Sequence, residues 1–128
     1  MKKKILWAAA HTPTEEQMTL LNGMGEVELL SEVNPALWGK LTKLNEDSNY
    51  AAIARELLEF INSNNFDLLV QPAGNPVFHV TLGKALCKQG IENKLMFSFS
   101  KRESEDIPQE DGSVKKVSIF KHLKWDKI

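Results

Sequence analysis

Short apolar runs alternate with helix-forming segments along most of this chain, and this alternation constrains the fold more than any other feature. Four apolar runs are predicted to be strands, at 4–10, 26–30, 66–71 and 94–100. Strands that are separated by helices pair in parallel through right-handed crossovers. We therefore predict an α/β fold built on an open, mostly parallel sheet.

The helices between these strands are predicted from their caps and apolar faces. The first opens at Thr12-Pro13-Thr14-Glu15, with Thr12 as the cap, Pro13 as the first helical residue and Glu15 completing a capping box. It should run to about Asn22. Further helical segments are expected from Asn34-Pro35, over the amphipathic stretch 49–62, and from Asn75 to Gln89.

The C-terminal part combines a charged loop with a last strand. Residues 103–111 carry five acidic and no basic residues, and we expect an acidic loop with a turn at 111–113. The strand at 114–125 follows no helix, so it should lie antiparallel at an edge of the sheet. The predicted strand order is second, first, third, fourth, fifth. The point where this order reverses, between the first and third strands, is where open α/β sheets bind ligands.

The bulk composition limits the classes of function. A chain of 128 residues is expected to form a single domain, 1–128, and its net charge of −1 provides no general field for a polyanion such as duplex nucleic acid. Its one cysteine, Cys87, excludes an intrachain disulfide. No apolar run reaches the length of a signal-peptide core or a membrane span. We expect a cytoplasmic protein without a membrane partner.

Two turns at the predicted switch point offer groups for an anionic ligand. His11 and Thr12 follow the first strand, where His11 could contact a phosphate or move a proton, or could simply neighbour a helix cap. After the third strand, Ala73 and Gly74 would let the backbone approach a ligand closely. Gln71 and Asn75 would add amide donors beside them, although Asn75 is equally well explained as a plain helix cap.

The end of the fourth predicted strand supplies further polar side chains. Strand alternation would place Ser98, Ser100 and Arg102 on one face. The guanidinium of Arg102 suits a phosphate, and the serines suit ribose or phosphate oxygens. The alternative is a polar strand end in which Arg102 pairs with Glu103 or Glu105.

Several familiar sites are missing from the sequence. The chain has no GxGxxG and no GxxxxGK[ST] motif, which argues against NAD enzymes and P-loop NTPases. It also has no HxH, HExxH or CxxC pattern, so we predict neither a metal site nor a cofactor. His79 lies inside a predicted helix, and we expect it to be packed or half-exposed.

The chain resembles the small standalone ring nucleases of type III CRISPR systems, which are related to the CRISPR-associated Rossmann-fold (CARF) sensor domains. The resemblance covers nearly the whole length. It rests on motifs that occur in order: His11-Thr12-x-Thr14-x-x-Gln17, Leu37-Trp38, Ser98-x-Ser100-x-Arg102-Glu103-Ser104, Asp111-Gly112-Ser113 and Phe120-x-His122. The C-terminal third is its most specific part, and the turn at 71–75 fits only loosely.

The resemblance implies a Rossmann-like homodimer that binds a cyclic oligoadenylate, typically cyclic tetra-adenylate, and cuts it without metal to switch off antiviral signalling. A ribose 2′-OH would attack the neighbouring phosphate. Arg102 or Lys101 would hold that phosphate, and His11 would assist proton transfer. Backbone N–H groups near Gly74 and Asn75 would cradle a second phosphate.

Two other functions compete with this one. The first is a non-catalytic binding protein, a sponge or sensor for the same cyclic nucleotide, because His11 is the one obvious candidate for a base. The second is a flavodoxin-like protein that binds a different nucleotide. A cleavage assay distinguishes the non-catalytic binding protein from a nuclease. A thermal-shift assay with a panel of nucleotides identifies a flavodoxin-like protein that binds a different nucleotide.

Overall fold

The computed structural model describes residues 2–127, without the side chains of 98–107 and 115–127. The strands are β1 (Lys3–Trp7), β2 (Gly25–Leu29), β3 (Leu68–Val70), β4 (Leu95–Pro108) and β5 (Val114–Lys127). The helices are α1 (Glu15–Met24), α2 (Leu30–Val33), α3 (Pro35–Thr42), α4 (Tyr50–Ser63) and α5 (Pro76–Lys88). A short 3-10 turn, Glu92–Lys94, precedes β4.

The five strands form one sheet in the order β2-β1-β3-β4-β5. The first four pair in parallel, and β5 pairs antiparallel with β4 at the edge. The predicted α/β class, strand order and antiparallel edge strand are confirmed. The switch point therefore lies between β1 and β3, which pair from Ile5↔Leu68 to Trp7↔Val70.

Alternate residues of the central strands face two separate cores. Leu6 and Leu69 belong to the larger core, which is completed by apolar side chains from α2, α3, α4 and α5. Ile5 and Val70 belong to the smaller core, which Leu21 of α1 covers. Both faces of β1 and β3 are thus buried, as their continuous apolar sequence requires. Each large apolar side chain buried here contributes about 1.5–3 kcal/mol.

The first helix starts two residues later than predicted. Thr14, and not Thr12, is its cap: the Thr14 hydroxyl accepts from the backbone of Gln17, and the Gln17 side chain accepts from the backbone of Thr14. The capping box is therefore closed by Gln17 and not by Glu15. The helix continues to Met24 and passes directly into β2. The predicted helix openings at Asn34-Pro35 and Asn75 are confirmed, and Asn49 is the cap of α4, not its first residue; each asparagine accepts a backbone N–H of its helix.

The expected acidic loop is for the most part strand. β4 continues to Pro108, and residues 103–108 pair with β5, so the connecting turn is confined to 109–113. The prediction of a loop is wrong for residues 103–108, because a run of charged residues also occurs in paired strands at the edge of a sheet. Lys116 stands opposite Asp106 in the ladder, and opposite charges across a ladder stabilise a strand pair.

Two further predictions concern a membrane-spanning helix and the length of β3. Within residues 2–127, no helix combines the length and the apolar character that crossing a bilayer demands. β3 is also shorter than predicted at both ends: it begins at Leu68, and after Val70 the chain leaves the sheet at Gln71, whose φ of 47° turns the backbone out of the strand.

Substitution of Gly25 by alanine should destabilise the fold. Its φ of 173° is ordinary extended backbone, but an added Cβ would lie 2.0 Å from the carbonyl oxygen of Lys3 on the adjacent strand. We expect a loss of about 1–3 kcal/mol in the free energy of unfolding, measured with urea. Gly23→Ala is the matched control, because its Cβ would meet no atom within 4 Å, and it should gain up to about 1 kcal/mol. Equal effects of the two substitutions would contradict the described β1–β2 contact.

Candidate functional site

Two turns meet at the carboxyl edge of the sheet. We call residues 8–14 the first turn and residues 71–75 the second turn. The backbone N–H of Ala8 donates to Val70 O at 3.1 Å, and that of Ala73 donates to Ala8 O at 2.8 Å. The backbone N–H of Gln71 donates to Met96 O of β4 at 2.8 Å. The turns that the sequence places at the switch point are therefore hydrogen-bonded neighbours.

A cleft of about 170 Å³ opens beside the first turn. Its floor and walls combine two indoles, five residues of the first turn, the last residue of β2 and one residue of α2. The lining residues are Trp7, Ala9, Ala10, His11, Thr12, Pro13, Leu29, Ser31 and Trp38. Two predicted site residues, His11 and Thr12, thus border a real concavity, and both have exposed side chains.

Two tryptophans hold the backbone of the first turn. The indole N–H of Trp7 donates to His11 O at 2.8 Å, and the indole N–H of Trp38 donates to Ala9 O at 3.0 Å. Within the part of the chain that the structure describes, the backbone N–H groups of Ala10, His11 and Thr12 donate to no protein acceptor. Successive unpaired amides in a turn of fixed shape form a concavity that suits an anion.

His11 is placed by Trp7 and remains open to solvent. Its ring meets the Trp7 ring edge-on, with centroids 5.5 Å apart and planes at 87°. It is the one titratable side chain among the described residues that line this cleft. No three His, Cys, Asp or Glu side chains of the described part lie close enough together to hold a metal ion.

The small residues of the second turn have a packing role. A Cβ on Gly74 would lie 2.6 Å from the Phe78 ring, and the φ of Gly74 is 134°, a region that other residues rarely adopt. Ala73 is buried in the larger core. The close packing of this turn against α5 therefore explains why positions 73 and 74 carry small residues, and no ligand is needed to explain it. Gln71, half-buried, is the residue at which the chain leaves the sheet.

Asn75 uses both ends of its amide within the chain. Its Oδ1 accepts from the backbone N–H of Phe78 at 2.8 Å, and its Nδ2 donates to the hydroxyl of Tyr50 at 3.0 Å. His79 donates from Nε2 to Pro72 O at 2.8 Å, and is half-buried as predicted. Of the two explanations offered by the sequence for Asn75, the contacts support the helix cap.

The C-terminal candidates lie on a strand that leaves the sheet. The last β3–β4 pair is Val70↔Met96, and β4 then continues with β5 alone. Arg102 is six residues beyond Met96, roughly 20 Å along the strand at about 3.3 Å per residue. The positions of Ser98, Ser100 and Lys101 fall in between, and side-chain contacts of all four are outside the described part. In the ladder Ser100 pairs with His122, and Arg102 with Phe120.

Sequence reasoning missed the role of the tryptophans. Trp7 lies in the strand predicted at 4–10 and is buried in the smaller core at 2% exposure, whereas Trp38 packs against the larger core. The indole N–H of a buried tryptophan requires an acceptor, and here both find one among the loop carbonyls beyond β1. A tryptophan one residue before a strand-ending turn is the signal that could have indicated this contact.

Asn75→Ala should cost about 1–2 kcal/mol in the free energy of unfolding, because it removes the cap of α5 and leaves Tyr50 without its donor. Tyr50→Phe keeps the cap but removes the hydroxyl that accepts from Asn75 and donates to Asn45 O at 3.1 Å, and it should cost about 0.5–1.5 kcal/mol. Urea titration of both variants checks the order. An Asn75→Ala protein as stable as the wild type would show that this side chain is free for another role.

Comparison with known proteins places the chain in a family. No curated protein and no solved structure matches it significantly. One family model does match, over residues 3–126, which include all five helices and all of the strands but the last residue of β5. Its description is the uncharacterized protein MJ1673 family. The chain belongs to the uncharacterized protein MJ1673 family.

Proposed function

We propose that this protein binds a cyclic oligoadenylate at the carboxyl edge of its sheet and cleaves it without a metal ion, as the ring nucleases that its sequence resembles do. Cyclic tetra-adenylate is the proposed ligand, and a homodimer is the proposed active form. A ligand with two-fold symmetry suits such a dimer, since each subunit repeats one set of contacts. Cleavage would end the second-messenger signal.

The observation that carries this proposal is the meeting of the two turns. The hydrogen bond of 2.8 Å between Ala73 N and Ala8 O makes one continuous edge of them, at the switch point where open α/β sheets bind ligands. The unpaired amides at 10–12 would contact a phosphate. The adjoining cleft of about 170 Å³ has room for one nucleobase or one phosphate, so a cyclic tetranucleotide would extend from it along the edge.

The proposed reaction needs no protein nucleophile. The ribose 2′-oxygen forms a bond to the adjacent phosphorus, the bond from phosphorus to the 5′-oxygen breaks, and the products are a 2′,3′-cyclic phosphate and a 5′-hydroxyl. One proton leaves the 2′-hydroxyl and one is gained by the 5′-oxygen, and His11 is our candidate for moving it. Lys101 and Arg102 are our candidates for holding the phosphate charge that develops. Thr12, Ser98 and Ser100 would bind ribose or phosphate oxygens.

A binding protein that does not cleave is the second candidate. It is favoured by the composition of the cleft, where His11 is the one titratable group among the described lining residues. With a single titratable group, the same side chain would have to remove the proton from the 2′-hydroxyl and deliver a proton to the 5′-oxygen. Binding, in contrast, requires only the amides and the aromatic walls.

Incubation with cyclic tetra-adenylate in EDTA, with enzyme in excess, tests the activity. We expect complete conversion to linear fragments that end in a 2′,3′-cyclic phosphate, because the attack needs only alignment of the 2′-oxygen and charge stabilisation. Chromatography with mass detection measures the products. An intact ring that still raises the melting temperature of the protein would establish the second candidate, and an intact ring with no thermal shift would exclude both.

His11→Ala and Arg102→Ala should separate binding from chemistry. We expect His11→Ala to slow single-turnover cleavage by about 10²–10⁴-fold, the usual share of general acid–base catalysis, with a smaller effect on affinity. Arg102→Ala should weaken binding, cleavage or both. Neither other histidine is a clean control, because His122 pairs with Ser100 and His79 holds Pro72 of the second turn, so Lys3→Ala, an exposed side chain at the opposite end of β1, serves instead. Equal losses of affinity and rate in His11→Ala would make His11 a binding residue only.

A further inference from the structure

A second concavity lies on the opposite side of the molecule from α1, between α4 and α5. The two helices run side by side: Tyr50 contacts Asn75 where they begin, and Asn62 donates to the side chain of Gln89 at 2.9 Å where they end. The groove between them has a volume of about 460 Å³. Its floor is apolar and consists of small and aliphatic side chains, Ala54, Leu58 and Ala85.

The groove is lined by cations without acids. Arg55, Lys84 and Lys88 stand along it, all three exposed, and no Asp or Glu is among the described residues that line it. Among the described side chains, none of the three has a carboxylate within ion-pair distance, in contrast to Lys40, which lies 2.9 Å from Glu56. An apolar floor with an unneutralised positive rim suits an acidic segment of a protein partner.

The β4–β5 ribbon supplies such a segment. Beyond the pair Val70↔Met96, residues 97–108 pair only with β5 in the ladder, so a two-stranded arm continues for roughly 40 Å past the sheet. A two-stranded ribbon by itself is marginally stable in water, and a partner surface would stabilise it. The arm leaves from the carboxyl edge, whereas the groove runs back along α4 and α5. Its tip therefore meets the groove of another copy more readily than its own.

The tip of the arm is acidic and has a defined shape. Glu110 and Asp111 are exposed in the turn 109–113, which is closed by a hydrogen bond of 2.7 Å from Gln109 N to Ser113 O. Hydrogen bonds from the side chain and then the backbone N–H of Ser113 hold the pKa of the Asp111 carboxyl below its usual range. These hydrogen bonds favour the ionised form of the Asp111 carboxyl.

We propose that two copies of this chain associate by exchanging arms, with the acidic tip of each, Glu110 and Asp111, seated in the basic α4–α5 groove of the other. The contact repeats itself about a two-fold axis, as closed homodimers require. The apolar floor is covered in the process, and the charges fix the direction of the arm. This assembly does not depend on the ligand or on cleavage.

Paired charge reversals test this proposal on the full-length protein. Sedimentation or light scattering should give twice the chain mass for the wild type. Glu110→Lys with Asp111→Lys, and separately Lys84→Glu with Lys88→Glu, should each raise the dissociation constant of the dimer by roughly tenfold or more. Mixing the two variants should restore a dimer that contains one copy of each, because both tip–groove pairs are again complementary in charge.

Lys2→Glu with Lys43→Glu is the matched control, since both lysines are exposed and neither lines the groove. It should dimerise as the wild type does. Circular dichroism confirms that each variant is folded. For the unmodified protein, raising the salt from about 0.05 to 1 M should weaken the dimer, because salt screens exposed charges. A monomeric wild type, reversed variants that still dimerise, or a mixture that stays monomeric would each overturn the proposal.

Discussion

The parallel pairing of β1 with β3 is the interaction on which the rest of the structure depends. It joins two strands that are far apart in sequence, buries both of their faces between two cores, and brings Leu6 beside Leu69. Where the pairing ends, the hydrogen bonds of Ala8 continue it into the two turns. The candidate site lies between β1 and β3 because the order of the strands reverses there, so its position is a consequence of the sheet topology.

Several residues that stand out in the sequence are accounted for by the fold itself. Thr14 and Gln17 close a capping box, Asn75 caps α5 and contacts Tyr50, and Gly74 leaves room for Phe78. What remains for a ligand is smaller and more specific. It consists of His11, the backbone amides beside it and the cleft between two indoles. The candidates on the β4–β5 arm are Ser98, Ser100, Lys101 and Arg102.

The architecture was predictable from the sequence because it follows from periodicity and from helix-opening signals such as Asn34-Pro35 and Asn75. The class, the strand order and the antiparallel edge all agreed with the structure. The length of β4 was not predictable in the same way, since cross-strand pairs such as Asp106↔Lys116 become visible only when the register is known. The contacts from Trp7 and Trp38 to the first turn were missed for a similar reason: an indole N–H finds its acceptor through tertiary packing.

The central claim is that the two turns form one ligand-binding edge. Titration of ¹⁵N-labelled protein with cyclic tetra-adenylate tests it most directly, because the amide signals report contact residue by residue. The account predicts that the largest shifts fall within 8–13 and 71–75, with the α4–α5 groove unaffected. Shifts confined to the groove, or no shifts at saturating ligand, would contradict it.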